Sequence, residues 1–334
     1  MLSALGAVVL GMASLLIFLT PQQISEAFLE LDRQDFAFSS LLFLLGCWIT
    51  AERWRACLSY RASRWKSFHT MGVCHAANIL IPGRAGEPLR VFLLAQLDVP
   101  AEYGTSGLVQ ERLADQVLRV VFVGATIMVV GVAGGEEMGS RLLGISLATA
   151  VSVGVIVTVV KSRKSVARTL GIWLGRLPKL TREVVEKFTL NTLTDLGAAW
   201  SRPGGKRALF WGLAAWVIFA FHTDLILASY FKHDTLAYAL LILAFAPATA
   251  PTQPGLFHGM ALGAMLMLGA DKVSALQGAV VIHIMQMVVF SLWGLLSWFA
   301  IARALRKEAA VKARGIENGA PPPSMQDCGK SPII

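Results

Sequence analysis

Charge is what this chain has least of. Asp, Glu, Lys and Arg make up 15% of its 334 residues, against roughly 25% in ordinary soluble domains. Hydrophobic residues reach 55% and the mean hydropathy is +0.61. This balance excludes a soluble globular domain and specifies an all-α polytopic membrane protein. Cysteine is also scarce. Cys47, Cys57, Cys74 and Cys328 show neither paired nor metal-ligand spacing, and three lie in or beside apolar segments, where a thiol packs as a small hydrophobe. No disulfide, metal or other cofactor is expected. The first basic residue is Arg33, so residues 1–20 lack the positive start of a signal peptide, and no small-residue cleavage pattern ends them. They read as a retained helix. No G-x-x-x-x-G-K-[ST] segment is present, so there is no motif for a nucleotide-driven step.

Apolar segments are plentiful. Leu2–Thr20 is long enough to cross a hydrocarbon core of about 30 Å, and a short acidic connection over 22–35 follows it. A second span, Phe36–Tyr60, runs into Arg53, Arg55, Arg61, Arg64 and Lys66, a basic run that short cytoplasmic loops retain. His69–Ile81 and Pro88–Leu97 are too short to cross and are separated by PGRAG. Proline removes a backbone donor and glycine admits unusual dihedrals, so this pair reads as a re-entrant hairpin. Gly107–Gly134 and Leu142–Val160 supply two more spans, joined by an external turn at 134–139.

Residues 161–207 hold eleven Lys or Arg against three acids. They suit an amphipathic cytoplasmic connector on an anionic leaflet, and equally a solvated linker that fixes topology. Ala208–Tyr230 crosses outward. Leu236–Ala250 and Leu256–Ala270 form a second broken pair around PTQPG at 251–255, and Val273–Ala302 leads to a basic tail that becomes Pro-rich and disordered in character toward residue 334.

A span, a Pro-Gly-broken hairpin and a span thus occupy approximately 36–134 and again 207–302, with opposite orientation. Such pairing is the sequence pointer to an inverted repeat with a site near the bilayer midplane. The expected fold is about six full spans plus two re-entrant hairpins, or eight spans. Residues 1–302 form the membrane domain, 161–206 the connector and 303–334 the tail. The three basic segments carry five, eleven and five of the 30 Lys and Arg residues, which places both termini in the cytoplasm. The net charge of +9 is then topological, and nucleic acid is not an expected partner.

Against this background Arg84, Glu87, Arg90, Glu111, Arg112, Asp115 and Arg119 stand out. Each ionisable group at membrane depth costs roughly 2.5–3.5 kcal/mol on insertion scales, so such groups face a cavity or one another. Spacings of three and four place them on shared helix faces. If the hairpin packs on the span that follows it, four arginines and three carboxylates meet. Arginine keeps its proton and grips phosphate with a planar fork, and carboxylates can hold that fork when no ligand is bound. An anionic, phosphate-containing head group is the natural guest, aided by the helix N-terminus at Gly86. The same residues would also serve as a salt-bridge lock on the hairpin.

The second half contributes His222, Asp224, Gln253, His258, His283 and Gln286, a possible outer site for proton relay or head-group release. Each also fits a plain helix-to-helix hydrogen bond.

The PGRAGEPLR segment ending at Arg90, the Glu111-Arg112-x-x-Asp115 pair and the later Pro-Gly-Leu and His283 region resemble the flippase-like membrane family typified by the transmembrane part of lysylphosphatidylglycerol synthase. The resemblance runs to about residue 302. It implies translocation of lipids with polar head groups between leaflets of a bacterial plasma (inner) membrane, with Arg84, Glu87, Arg90, Glu111, Arg112 and Asp115 along the path. Phe257-His258-Gly259 departs from the family, many of whose members carry a glutamate there. No soluble aminoacyl-transferase domain follows, so lipid synthesis is not expected, and a lipid-synthesising enzyme is a possible partner. The competing readings are an integral membrane lipid-modifying enzyme and a non-transporting partner of one. No catalytic residue is assigned, because no nucleophile stands in a recognisable setting and the acids and histidines fall on opposite sides of the expected membrane.

Overall fold

The computed structural model describes residues 21–81, 84–130, 203–245 and 256–317, with scattered positions between 151 and 194. The expected first span at 2–20, the turn at 134–139, most of the span at 142–160 and of the connector, the 251–255 break with Gln253, and the Pro-rich tail lie outside the described residues.

The described residues build helices: α1 (Pro21–Leu29), α2 (Arg33–Cys57), α3 (Arg64–Leu80), α4 (Gly86–Gln96), α5 (Ala101–Val130), α6 (Pro203–Ala228), α7 (Thr235–Phe245), α8 (Leu256–Met267) and α9 (Lys272–Glu317). No strand occurs among them. Arg33–Cys57, Gly204–Ala228 and Lys272–Lys307 are long and apolar enough to cross a membrane. The chain is a multi-pass membrane protein.

Local chemistry sets several helix ends. The Asp32 carboxylate accepts from the Gln34 and Asp35 amides and starts α2, three residues before the expected apolar start. Ser63 caps α3 through the Lys66 amide, so this helix begins five residues before His69 and reaches 17 residues. Asp271 accepts from the Val273 and Ser274 amides and from the Ser274 hydroxyl at the start of α9. α9 continues without a break to Glu317, so Arg303, Arg306 and Lys307 are helical.

The helices pack in a regular pattern. α2 lies along α6, α3 along α9, and α7 along α5, while α4 bridges α3 and α5 and α8 bridges α7 and α9. Small residues permit the closest approach. A Cβ on Gly294 would collide with Ala76 and the Gly72 carbonyl, joining α9 to α3. Phe38, Leu41, Leu45 and Trp48 on α2 and Val288, Leu292, Leu295 and Phe299 on α9 are exposed. Their spacing of three and four marks one apolar stripe on each helix, a surface suited to lipid.

Candidate functional site

The site is assembled where α2, α3, α4 and α5 meet. Its first component is the turn between α3 and α4. Arg84 adopts a left-handed backbone, φ 59°, which a non-glycine residue holds only when its surroundings fix it. Two residues on, the Gly86 amide donates to Asn78 Oδ1 at 2.8 Å, and a Cβ on Gly86 would strike the Cys74 carbonyl. Glycine is required because the start of α4 is seated on the backbone of α3. Glu87 and Arg90 then project three residues apart from α4, and Glu111, Arg112 and Asp115 from α5.

These side chains pair in two layers. In the deeper layer Arg90 Nη2 donates to Glu111 Oε2 at 2.7 Å, with the two side chains 1% and 4% exposed. The Arg90 guanidinium lies 3.6 Å over the Trp54 ring and contacts Met71 Sδ. Beside it Arg53 Nη1 meets Asp115 Oδ1 at 2.7 Å, and Arg53 Nη2 donates to the Glu111 carbonyl at 2.7 Å. In the shallower layer Arg112 spans Glu87 at 2.9 Å and Asp115 at 3.0 Å, and Arg84 stands 3.4 Å from Glu87. Arg112 is 34% and Arg84 25% exposed at the side chain. The inner pairs are sealed; the outer arginines are reachable.

Both layers line one cavity of about 170 Å³. Its charged wall continues into Phe43, Phe219, Phe257, Phe290 and Trp216, with Thr50, Asn78, Thr223 and Gln286 as neutral polar groups. The cavity therefore joins an ionic end to an aromatic, apolar one. The Nε donors of Arg53, Arg90 and Arg112 and the Oε1 acceptor of Gln286 are buried without a hydrogen-bond partner. Buried polar atoms normally have partners, so these mark where a guest's acceptors and donors would fit.

Six of the seven residues expected in the first charged group line this cavity. Arg119 does not: its Nη1 donates to Gln116 Oε1 at 2.9 Å. The fourth arginine is instead Arg53, which the sequence reading assigned to a cytoplasmic basic run. It is 4% exposed, and Gly46, Thr50, Arg53 and Cys57 recur at helical spacing on one face of α2, the available signal for an inward position. His75 is a second unforeseen lining residue, its ring stacked on Phe290 at 4.2 Å.

The described residues of the possible outer site make separate contacts. His222 is a helix-to-helix contact, with Nδ1 2.7 Å from Ser39 Oγ on α2 and its ring against Phe43. His258 Nε2 and His283 Nδ1 lie 3.1 Å apart, joining α8 to α9. Among the described members of this set Gln286 lines the cavity, and Asp224 lies on α6. Among the described residues no group of three His, Cys, Asp or Glu has a metal-holding arrangement.

Fold and site together define a multi-pass membrane protein built around a charged interior chamber. Residues 3–294 match the family described as the lysylphosphatidylglycerol synthase TM region, and the chain belongs to that family. A membrane-lipid role follows from that membership. Neither curated proteins nor solved structures returned a match.

Proposed function

We propose that the protein moves a lipid with a polar, anionic or phosphate-containing head group between the leaflets of a bacterial inner membrane. The observation that carries this reading is the two-layer arginine network on a cavity that continues into an apolar wall. A phosphate arriving at Arg112 and Arg84 competes with Glu87 for guanidinium donors already in place. It therefore meets neither a bare buried charge nor a fully satisfied lock. The head group occupies the ionic end while acyl or prenyl chains stay in lipid.

An inverted repeat fits this function. Exchanging α2–α5 with α6–α9 leaves the packing pattern nearly unchanged: α2 on α6 maps to itself, α3 on α9 becomes α7 on α5, and α4 on α5 becomes α8 on α9. The short pairs α3–α4 and α7–α8 take the place of the two re-entrant hairpins. Positive-inside charge supports cytoplasmic termini, and the membrane domain extends to about residue 302.

The test is leaflet redistribution of fluorescent anionic and zwitterionic lipids in liposomes containing the purified protein, beside Arg112→Ala and Glu87→Gln. Accelerated redistribution that Arg112→Ala abolishes is expected. Wild-type liposomes that move none of a broad panel, polyprenyl phosphates included, with or without a pH gradient, would refute translocation.

A further inference from the structure

Arg112 can turn to a guest at little cost only if the carboxylates it leaves are still answered. The network supplies that answer, an inference that rests on the translocation reading above. Asp115 divides its two oxygens between two arginines: Oδ1 takes Arg53 Nη1 at 2.7 Å, and Oδ2 takes Arg112 Nη1 at 3.0 Å. Arg112 Nη2 meets Glu87 Oε1 at 2.9 Å, and the same oxygen stands 3.4 Å from Arg84 Nη1. Each carboxylate that holds Arg112 therefore has a second arginine.

The two arginines on Asp115 differ in freedom. The Arg112 side chain is 34% exposed, whereas Arg53 is 4% exposed and its Nη2 donates to the Glu111 carbonyl at 2.7 Å. Arg53 is thus tied to the backbone of α5 independently of Asp115, and it stays when Arg112 moves. Asp115 is 7% exposed, so water cannot replace a lost arginine there, and a buried carboxylate left alone carries a heavy penalty. We infer that Arg53 is a positioning residue for head-group capture: it keeps Asp115 paired while Arg112 exchanges its carboxylates for a phosphate. Arg112 binds the guest, and Arg53 sets how readily Arg112 lets go of Asp115. The rival role for Arg53 is direct contact with the guest, since its Nε has no partner on the same cavity. The two roles differ in how they depend on Asp115.

The test uses the full-length protein in liposomes and follows tail-labelled phosphatidylglycerol, and separately a labelled polyprenyl phosphate, over a range of lipid mole fractions. The half-saturating fraction reads head-group capture, and the maximal rate reads the later steps. Arg53→Met leaves Arg112 as the arginine bonded to Asp115 among the described residues, so capture must break that pair and strand the carboxylate. The half-saturating fraction should rise about tenfold or more, with a smaller change in maximal rate. Arg53→Lys, which keeps a cation for Asp115, should lose much less. Combining Arg53→Met with Asp115→Asn should recover most of the loss, because neither a held Arg112 nor a stranded carboxylate remains, and Asp115→Asn alone should not weaken capture. A loss that Asp115→Asn fails to relieve makes Arg53 a direct ligand and overturns the inference. So does an Arg53→Met protein with an unchanged half-saturating fraction. If Arg53→Met alone does not fold, the double variant decides: capture close to wild type upholds the inference and weakened capture overturns it. These outcomes leave translocation standing, whereas wild-type protein that moves neither lipid would remove both.

Discussion

Glu111→Gln and Arg112→Ala each delete one charge from the same network, yet their consequences should separate cleanly. Glu111 and Arg90 are 4% and 1% exposed and 2.7 Å apart, so neither can regain water. Removing the carboxylate's charge leaves a buried guanidinium whose direct contacts among the described residues are the Trp54 ring, Met71 and a neutral amide. Breaking a buried pair in this way costs about 3–5 kcal/mol, because one charge stays desolvated and uncompensated. Arg112 is 34% exposed, so its loss returns Glu87 to a wetter setting and belongs with partly screened pairs, worth about 0–1 kcal/mol. Reversible unfolding in mixed detergent micelles, run beside the liposome assay, measures both quantities. Glu111→Gln should lose stability heavily, and a second change, Arg90→Met, should recover most of it, since an uncharged pair of similar volume removes the orphaned charge. Arg112→Ala should keep near-native stability and lose translocation. The reasoning fails if Glu111→Gln is as stable as wild type, or if Arg90→Met adds to the loss instead of relieving it.

Two further outcomes test the elements that hold the site. Gly86→Val drives a side chain into the Cys74 carbonyl and displaces the α3–α4 turn; the protein should fold poorly or lose translocation without any change of charge, checked by detergent size-exclusion and the liposome assay. Asp271, in the turn before α9, has its carboxyl held below the ordinary range chiefly by hydrogen bonds from Ser274. The folded state therefore favours the charged form, and the stability gap between wild type and Asp271→Ala should be full at neutral pH. It should close as pH falls through the folded-state value, which a pH series of unfolding curves would display.

What could be read from the chain, and what could not, divides along a physical line. Glu87, Arg90, Glu111, Arg112 and Asp115 were legible because their spacings are local, and a shared helix face follows from three- and four-residue intervals alone. The meeting of α4 with α5 is the condition on which the sequence reading makes these faces converge. Arg53 was not legible in this way. It stands beside Glu52 and near Arg55, Arg61 and Arg64, at the end of an apolar span where basic residues ordinarily set topology. Only its position on the Gly46, Thr50 and Cys57 face of α2 turns it inward, and only α5 packing there makes that face a charged cavity. Arg119 lies off the cavity lining for the converse reason. Its spacing from Asp115 is correct, but Arg53 and Arg112 already occupy that carboxylate, and a local interval cannot register competition from a distant helix.

The same distinction explains the second half. His222 and Ser39 are 183 residues apart, and their hydrogen bond exists because α2 lies along α6; His258 meets His283 because α8 folds back on α9. Histidines grouped by expected depth were thus separated by packing into individual helix contacts, while Gln286, an uncharged residue three positions beyond His283, reaches the chamber. A charge buried at membrane depth must be answered by some partner, and the sequence displays the need without naming the partner. Where the answer is another side chain, as at Glu111, the group serves the fold. Where donors remain unanswered on a cavity wall, as at the Nε atoms of Arg53 and Arg112, the translocation reading supplies a guest as the partner.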